Sequence, residues 1–340
     1  MERRILIPPH LPAHLPIGGG HAARAVWEFS GTTMGTYWRA SVVAGDTLPP
    51  PAIDALIRDA LATVVACMSP WEPDSDLGRY RIAQSDTWVP LRPPTLRVLA
   101  RALEVAALSD GSYDPTIGRL TDALGFGPSD PAAAAAPGSA RAEQARTATG
   151  YTRVRLDPAT SSVFQPGGYE LDLCSIAKGY AVDLVIEQLA ALGVSSCFVE
   201  IGGEARGRGC KPNGQPWWCK LEPPAGAAGH AFPETIAAAC DLALATSGNT
   251  LRKRVTSDGD LGHIVNPLPG HALPPTLESV TVLAPTCMEA DVFATTLFLL
   301  GPDRGRALAT RLGLAALFVE RLGETRYREQ WSPGFAEYLN

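Results

Sequence analysis

The chain has 340 residues, 46% of them hydrophobic and 19% charged, with a formal net charge of -6. That is an ordinary balance for a globular protein with a full-sized core. It does not favour a nucleic-acid or membrane-surface partner, which calls for a basic face, and no stretch reaches transmembrane length.

The start, "MERRILIPPHLPAHLPIGGGHAARA", lacks the apolar run of a signal peptide and reads as a flexible arm over 1–25, with a cytoplasmic location expected. His10 and His14 have helical ligand spacing, but Pro9, Pro12 and Pro16 break that helix. "VWEFSGTTMGTYWRASVV" (26–43) predicts a β-hairpin. Residues 51–68 and 95–109 carry apolar residues at helical spacing; Pro51 opens the first helix and Asp110-Gly111 closes the second. The alanine-rich stretch 128–150 has no large apolar residue and reads as a low-complexity surface insertion or mobile loop.

"TRVRLDPATSSVFQP" predicts two strands around an Asp-Pro turn. A helix over "IAKGYAVDLVIEQLAALG" follows and ends at Gly193. Strands are predicted at "CFVEI", "PWWCKLE", "TIAAACDLALAT" and "SVTVLA", then a helix over 287–300, another at "GRALATRLG", and a closing pair, "LAALFVE" and "TRYREQ". Helices and strands interleave without a strict βαβ rhythm. The predicted fold is therefore α/β with α+β character, a single domain over 26–340 with mixed sheets flanked by helices. The seven cysteines are odd in number, scattered and without a CxxC, which reads as reduced thiols; a Cys210–Cys219 bridge across a hairpin is the one pairing the spacing suggests.

Three segments carry chemistry. In "LDLCSIAKGYAVD", Lys178 lies near a helix N-terminus, where the backbone N–H groups are already electropositive. With Ser175 near the N-cap, the stretch suits an anion such as phosphate, and equally a capped surface helix with a solvated lysine. Gly179 is costly in a first turn and points to something approaching the backbone closely. In "MEADVFATTLFLLG", Asp291 and Thr295 share a helix face that is otherwise apolar. With a freed backbone carbonyl they would be hard oxygen ligands of the kind Mg²⁺ prefers; the alternative is a helix cap and a local hydroxyl bond. "ALATSGNTLR" reads as a Thr-Ser-Gly turn after a strand, and "GHIVNPLPG" sets His263 beside a strand end. No Rossmann fingerprint, Walker A or GxSxG sequence occurs.

Taken in order, "TTMGTYW", "MSPWEPDSDLGRY", "GSYDPTIGRLTDALGFGP", "LDLCSIAKGYAVD", "VEIGGEARGRG", "LATSGNTLR", "HIVNPLPG" and "SVTVLAPTCMEADVFATTLFLLG" resemble the FAD:protein FMN transferase (ApbE) family from about Val26 to the last helices. The resemblance implies a transferase that uses FAD and Mg²⁺ and moves FMN onto a Thr or Ser hydroxyl of an acceptor flavoprotein, releasing AMP. It implies FAD contacts for Met34, Trp71, Ser112, Tyr113, Asp114, Asp172, Lys178, Thr246, Ser247, Gly248 and Val265. It implies metal contacts for Ser175, Asp291, the backbone of Ala294, and Thr295, and a basic role for His263 or Asp291. Asn266 stands where the family usually has aspartate, and Cys174-Ser175 replaces a commoner glycine pair. Two other readings share these motifs: a Mg²⁺-dependent FAD pyrophosphatase, and a non-catalytic FAD-binding protein.

Overall fold

The computed structural model describes residues 3–11, 25–45, 48–223, 233–248, 253–256, 259–268, 273, 275–324 and 326–339. In chain order these form β1 (Arg3–Leu6), β2 (Val26–Thr33), β3 (Thr36–Val43), α1 (Pro50–Met68), α2 (Asp76–Ile82), β4 (Thr87–Pro90), α3 (Pro93–Leu108), α4 (Gly118–Ala123) and α5 (Ala140–Arg146). Next come β5 (Leu156–Asp157), β6 (Ser162–Gln165), α6 (Ala177–Ala191), β7 (Ser196–Ile201), β8 (Glu204–Arg208), β9 (Trp218–Lys220), β10 (Glu234–Ala238) and β11 (Leu242–Gly248). The last are β12 (Lys253–Thr256), β13 (Gly259–Gly262), β14 (Leu277–Ala284), α7 (Cys287–Leu312), β15 (Ala315–Arg321), β16 (Tyr327–Trp331) and α8 (Pro333–Ala336).

The central sheet has the order β16-β15-β14-β11-β8-β7-β3-β2, and each neighbouring pair in it is antiparallel. Its strands alternate between two cores, as a period of two requires. Ala243, Ala245, Val280, Val282, Ala316 and Phe318 face the larger core, which they share with α1, α3, α6 and α7. Leu242, Leu244, Leu283, Leu317 and Val319 face the smaller core, with Leu6, Trp217 and Phe335. A second sheet, β1-β10-β9, contributes to that smaller core and is mixed, β1 lying parallel to β10. Alanines at 243 and 245 on the helix-facing side of β11 let α7 come close.

Several expectations are corrected. Within the arm predicted over 1–25, Arg3–Leu6 form a strand, held by its ladder to β10 and by ion pairs from Arg3 to Glu234 and Arg4 to Glu329; residues 12–24 of that arm, His14 included, lie outside the described residues. The alanine-rich stretch is not a loop throughout. Ser139 caps α5, and Ala142 and Ala145 pack with Leu120, Ala123 and Leu124, so small residues suffice because α4 comes close. Arg146 of α5 donates to the carbonyls of Asn266 and Pro267 at 2.9 and 2.8 Å, tying this stretch to the His263 segment. Cys210 and Cys219 do not face each other across a hairpin, because β9 pairs with β10, and no disulfide joins the described cysteines.

The hairpin 26–43 turns at Met34-Gly35, with φ of 49° and 70°. Two positive φ values match a two-residue type I′ turn, which suits the twist of the flanking strands. The two helices predicted after residue 287 run end to end as α7, broken at Gly301, whose φ is 76°, with Pro302 next to it.

The N-terminus of α7 is capped from another helix. Thr286 makes no capping bond there; instead the Asp183 carboxylate of α6 accepts the N–H groups of Cys287 and Met288, both at 2.9 Å. Arg206 of β8 donates to the same carboxylate at 2.6 Å. Asp183 is buried, and burial raises its pKa against the pull of Arg206. Breaking such a buried pair strands a charge and removes a cap together. Asp183→Ala is therefore expected to cost about 3–5 kcal/mol in urea unfolding; a loss under about 1 kcal/mol would show the clamp to be dispensable.

Candidate active site

The motif at the head of α6 folds as an irregular turn. The Leu173 carbonyl accepts Ile176 N and Ala177 N, and the helix begins at Ala177. Asp172 stiffens the approach: its Oδ1 accepts Cys174 N at 2.8 Å and its Oδ2 accepts the Thr121 hydroxyl at 3.1 Å. Ser175 lies near the N-cap as expected, one residue before Ile176, which holds that position without a side-chain capping bond. The Ser175 hydroxyl lies 3.5 Å from the Tyr113 phenol instead.

Lys178 forms an ion pair with the carboxylate of Glu204, the first residue of β8. Glu204 is buried, and its Oε2 has no hydrogen-bond partner among the described residues. Burial works against the Lys178 charge, but Glu204 and Asp291 outweigh it and hold the ammonium pKa above its usual value. Burial pushes Glu204 upward against the pull of Lys178, and the Asp291 charge adds to the rise. Asp291, buried on α7, is also raised by burial, opposed by Lys178 and by the Gly179 N–H that it accepts at 2.9 Å. One half-buried cation is thus paired with one buried carboxylate and feels the charge of a second.

This arrangement supplies the close approach expected at Gly179. What approaches its backbone is helix α7: a Cβ there would lie 2.3 Å from the Cys287 carbonyl oxygen and 2.8 Å from the Asp291 Cβ. Part of the anion expected at this helix end is also internal, supplied by Asp291 and Glu204. Glu204 was missed from sequence, although a signal existed. Glu204 and Arg206 are two apart on a strand and so share a face, and they meet Lys178 and Asp183 of α6 respectively.

Tyr113 joins this group. Burial raises its phenol, and the charges of Asp172, Asp291 and Asp114 add to the rise against the Ser175 bond. Ser112 beside it is buried with its hydroxyl unpartnered among the described residues. Asp114, by contrast, is engaged by backbone and hydroxyl partners: Oδ1 accepts the Thr116 N–H and hydroxyl, and Oδ2 accepts Tyr151 N. Thr295 bonds the Ser247 hydroxyl at 2.9 Å, joining α7 to β11. The Thr-Ser-Gly segment is the end of β11 rather than a turn, so its residues alternate: Ser247 meets α7, while Thr246 bonds Thr281 across the ladder at 2.9 Å and is exposed. Ala294 lies within unbroken helix, so its carbonyl is not freed by a break; its second lone pair remains for another partner.

Trp71, half exposed, shares a cleft with Arg81, Phe126, Glu170 and Asp172. Met34, at the hairpin tip, packs partly on the larger core. His263 and Val265 follow β13; Val265 packs on the α4–α5 cluster, and the next residue, Asn266, folds the segment by accepting Leu268 N on its Oδ1 at 2.9 Å. An aspartate could accept the same bond, so the Asn266 substitution preserves the turn.

Residues 34–318 match the family model described as "ApbE family". The chain belongs to the ApbE family. It is 33% identical over 308 residues to the FAD:protein FMN transferase of Haemophilus influenzae, covering 87% of each chain, and 32% identical over 319 residues to that of Vibrio cholerae, covering 92% of each. Among solved structures, the apo form of the Pseudomonas stutzeri flavinyl transferase ApbE matches with a TM-score of 0.83 at 31% identity, covering 93% of this chain and 97% of that one. The Vibrio cholerae flavin transferase ApbE matches at 0.82 and 29%, covering 93% and 100%.

For this ApbE-family chain the close contact of α6 with α7 sets the geometry of Lys178 and Asp291. Gly179→Ala must push the helices apart, and overpacking of this kind costs about 1–3 kcal/mol. A lowered melting temperature is expected, and an unchanged one would contradict the close approach.

Proposed function

We propose that this chain is a Mg²⁺-dependent FAD:protein FMN transferase. It moves the FMN half of FAD onto a Thr or Ser hydroxyl of an acceptor flavoprotein and releases AMP. Family membership supports the reaction class. One observation carries the chemistry: Lys178, Glu204 and Asp291 meet at the junction of α6 and α7, beside the hydroxyls of Tyr113, Ser175, Ser247 and Thr295.

The donor set fits Mg²⁺. It offers hard oxygens, an excess of buried negative charge, and an orphaned carboxylate oxygen on Glu204 nearby. Asp291, Thr295, the Ala294 carbonyl and Ser175 are the residues we assign to hold the ion. Bound there, Mg²⁺ would neutralise charge on the FAD pyrophosphate and on the departing AMP.

The protein's own part is mostly positioning and charge. Lys178 faces the pyrophosphate with its charge secured by Glu204. Ser112, Tyr113 and Asp172 line the FAD site, with Trp71 packing on the cofactor from the cleft and Met34, Ser247, Gly248 and Val265 completing it. Thr246 and Asp114 contribute from its margin, through the strand end and the loop that they hold. His263, or Asp291, takes the proton of the acceptor hydroxyl. The acceptor oxygen bonds to the FMN phosphorus as the pyrophosphate P–O bond breaks and AMP leaves. No enzyme nucleophile is needed.

Water in place of the acceptor hydroxyl would make the same site a pyrophosphatase. Incubation with FAD, Mg²⁺ and a candidate acceptor separates the two: flavin fluorescence that stays with the acceptor in a denaturing gel reports transfer. Asp291→Asn keeps an acceptor for the Gly179 N–H but removes the charge. Transfer is expected to fall by about 10²-fold or more, with far-UV circular dichroism unchanged. Full transfer activity in that variant would overturn the assignment of Asp291.

A further inference from the structure

Cys210 follows β8, and Cys240 lies in the tight connection between β10 and β11. Their Sγ atoms are 3.1 Å apart. The backbone on both sides of the pair is fixed in close approach. The Ala239 carbonyl lies so near Gly207 that a Cβ there would fall 1.7 Å from its oxygen. Gly209 N donates to Asp241 Oδ1 at 3.2 Å, and Leu242 pairs with Gly207 in the ladder of β11 and β8. Closing the sulfurs to a bond of about 2.05 Å needs a shift of about 1 Å.

We propose that Cys210 and Cys240 form an intrachain disulfide, a modification site separate from the flavin chemistry. The two thiols differ in access, and this sets the order of events. Cys210 is partly exposed, whereas Cys240 is buried and burial pushes its thiol up to about 12. The Cys210 thiolate attacks a small-molecule disulfide such as oxidised glutathione; that S–S bond breaks and one thiol leaves. Cys240 then gives up its proton and attacks the Cys210 sulfur, and the second thiol departs. Two protein thiols lose two electrons, and one external disulfide becomes two thiols.

The bond encloses β9 and β10, which with β1 form the small sheet beside the smaller core. Closing a loop of that size restricts the unfolded chain and stabilises the native one. Cys219, the partner suggested by sequence spacing, is buried on β9 and its sulfur lies near the Lys220 carbonyl instead. The cysteines are therefore not all inert thiols: one pair is built to respond to an oxidising environment.

The test uses the full chain, equilibrated with reduced or oxidised glutathione, alkylated with N-ethylmaleimide and digested without reduction. Mass spectrometry of the oxidised sample is expected to show a peptide linking Cys210 to Cys240. The link should vanish in Cys210→Ser, a substitution at the more exposed position, and persist in Cys219→Ser. The melting temperature of the unaltered chain should rise by about 5 °C on oxidation, and Cys210→Ser should abolish that response. Complete alkylation of both cysteines after oxidation, a link to any other cysteine, or a melting temperature indifferent to redox state would overturn the proposal. None of these readouts involves flavin, so the result stands apart from the transferase reading.

Discussion

Everything at the site depends on one buried carboxylate that takes no part in the chemistry. Asp183 caps α7 from α6 and pairs with Arg206 of β8, so three elements are fixed to one another by a single side chain. Those three elements carry Lys178, Asp291 and Glu204. A charged residue buried without such partners would be strongly unfavourable. Here two backbone N–H groups and a guanidinium replace the lost water. The geometry that matters for function is thus set about one turn away from where it is used.

The same junction explains the electrostatics. Gly179 lets α7 approach α6 until Asp291 accepts a backbone N–H from the opposing helix. Lys178 pairs with Glu204 and feels Asp291 as well, so one cation is set against two acids. Burial drives all three toward neutrality, and their mutual attraction holds the lysine charged while both acids are raised. A site of this kind is incomplete in charge, and a divalent cation with an anionic substrate is one way to complete it. That is the physical link between the fold and the proposed flavin transfer.

Much of the architecture was legible in the sequence. The apolar spacing of 51–68 and 95–109 located α1 and α3, and "SVTVLA" and "LAALFVE" located β14 and β15. Three features were hidden, each because it depends on a neighbour distant in sequence. The first-turn glycine signals a close neighbour but does not name it until α7 is seen against it. The alanine-rich stretch reads as structureless until α4 and the Asn266 carbonyl are seen to hold it. Glu204, after two glycines, draws no reading from the sequence, because nothing local shows that its strand faces α6. The local readings of Ser175 as near a cap and of Thr246 as in a turn shift for a different reason: irregular turns and strand ends differ from caps and loops by one residue, and that one residue changes the direction of a side chain.

The most direct measurement is mass spectrometry of a purified acceptor flavoprotein after incubation with this chain, FAD and Mg²⁺. The account predicts an FMN phosphodiester on one Thr or Ser of the acceptor and one AMP released per adduct. Free FMN and AMP in equal amounts, with the acceptor unmodified, would contradict it.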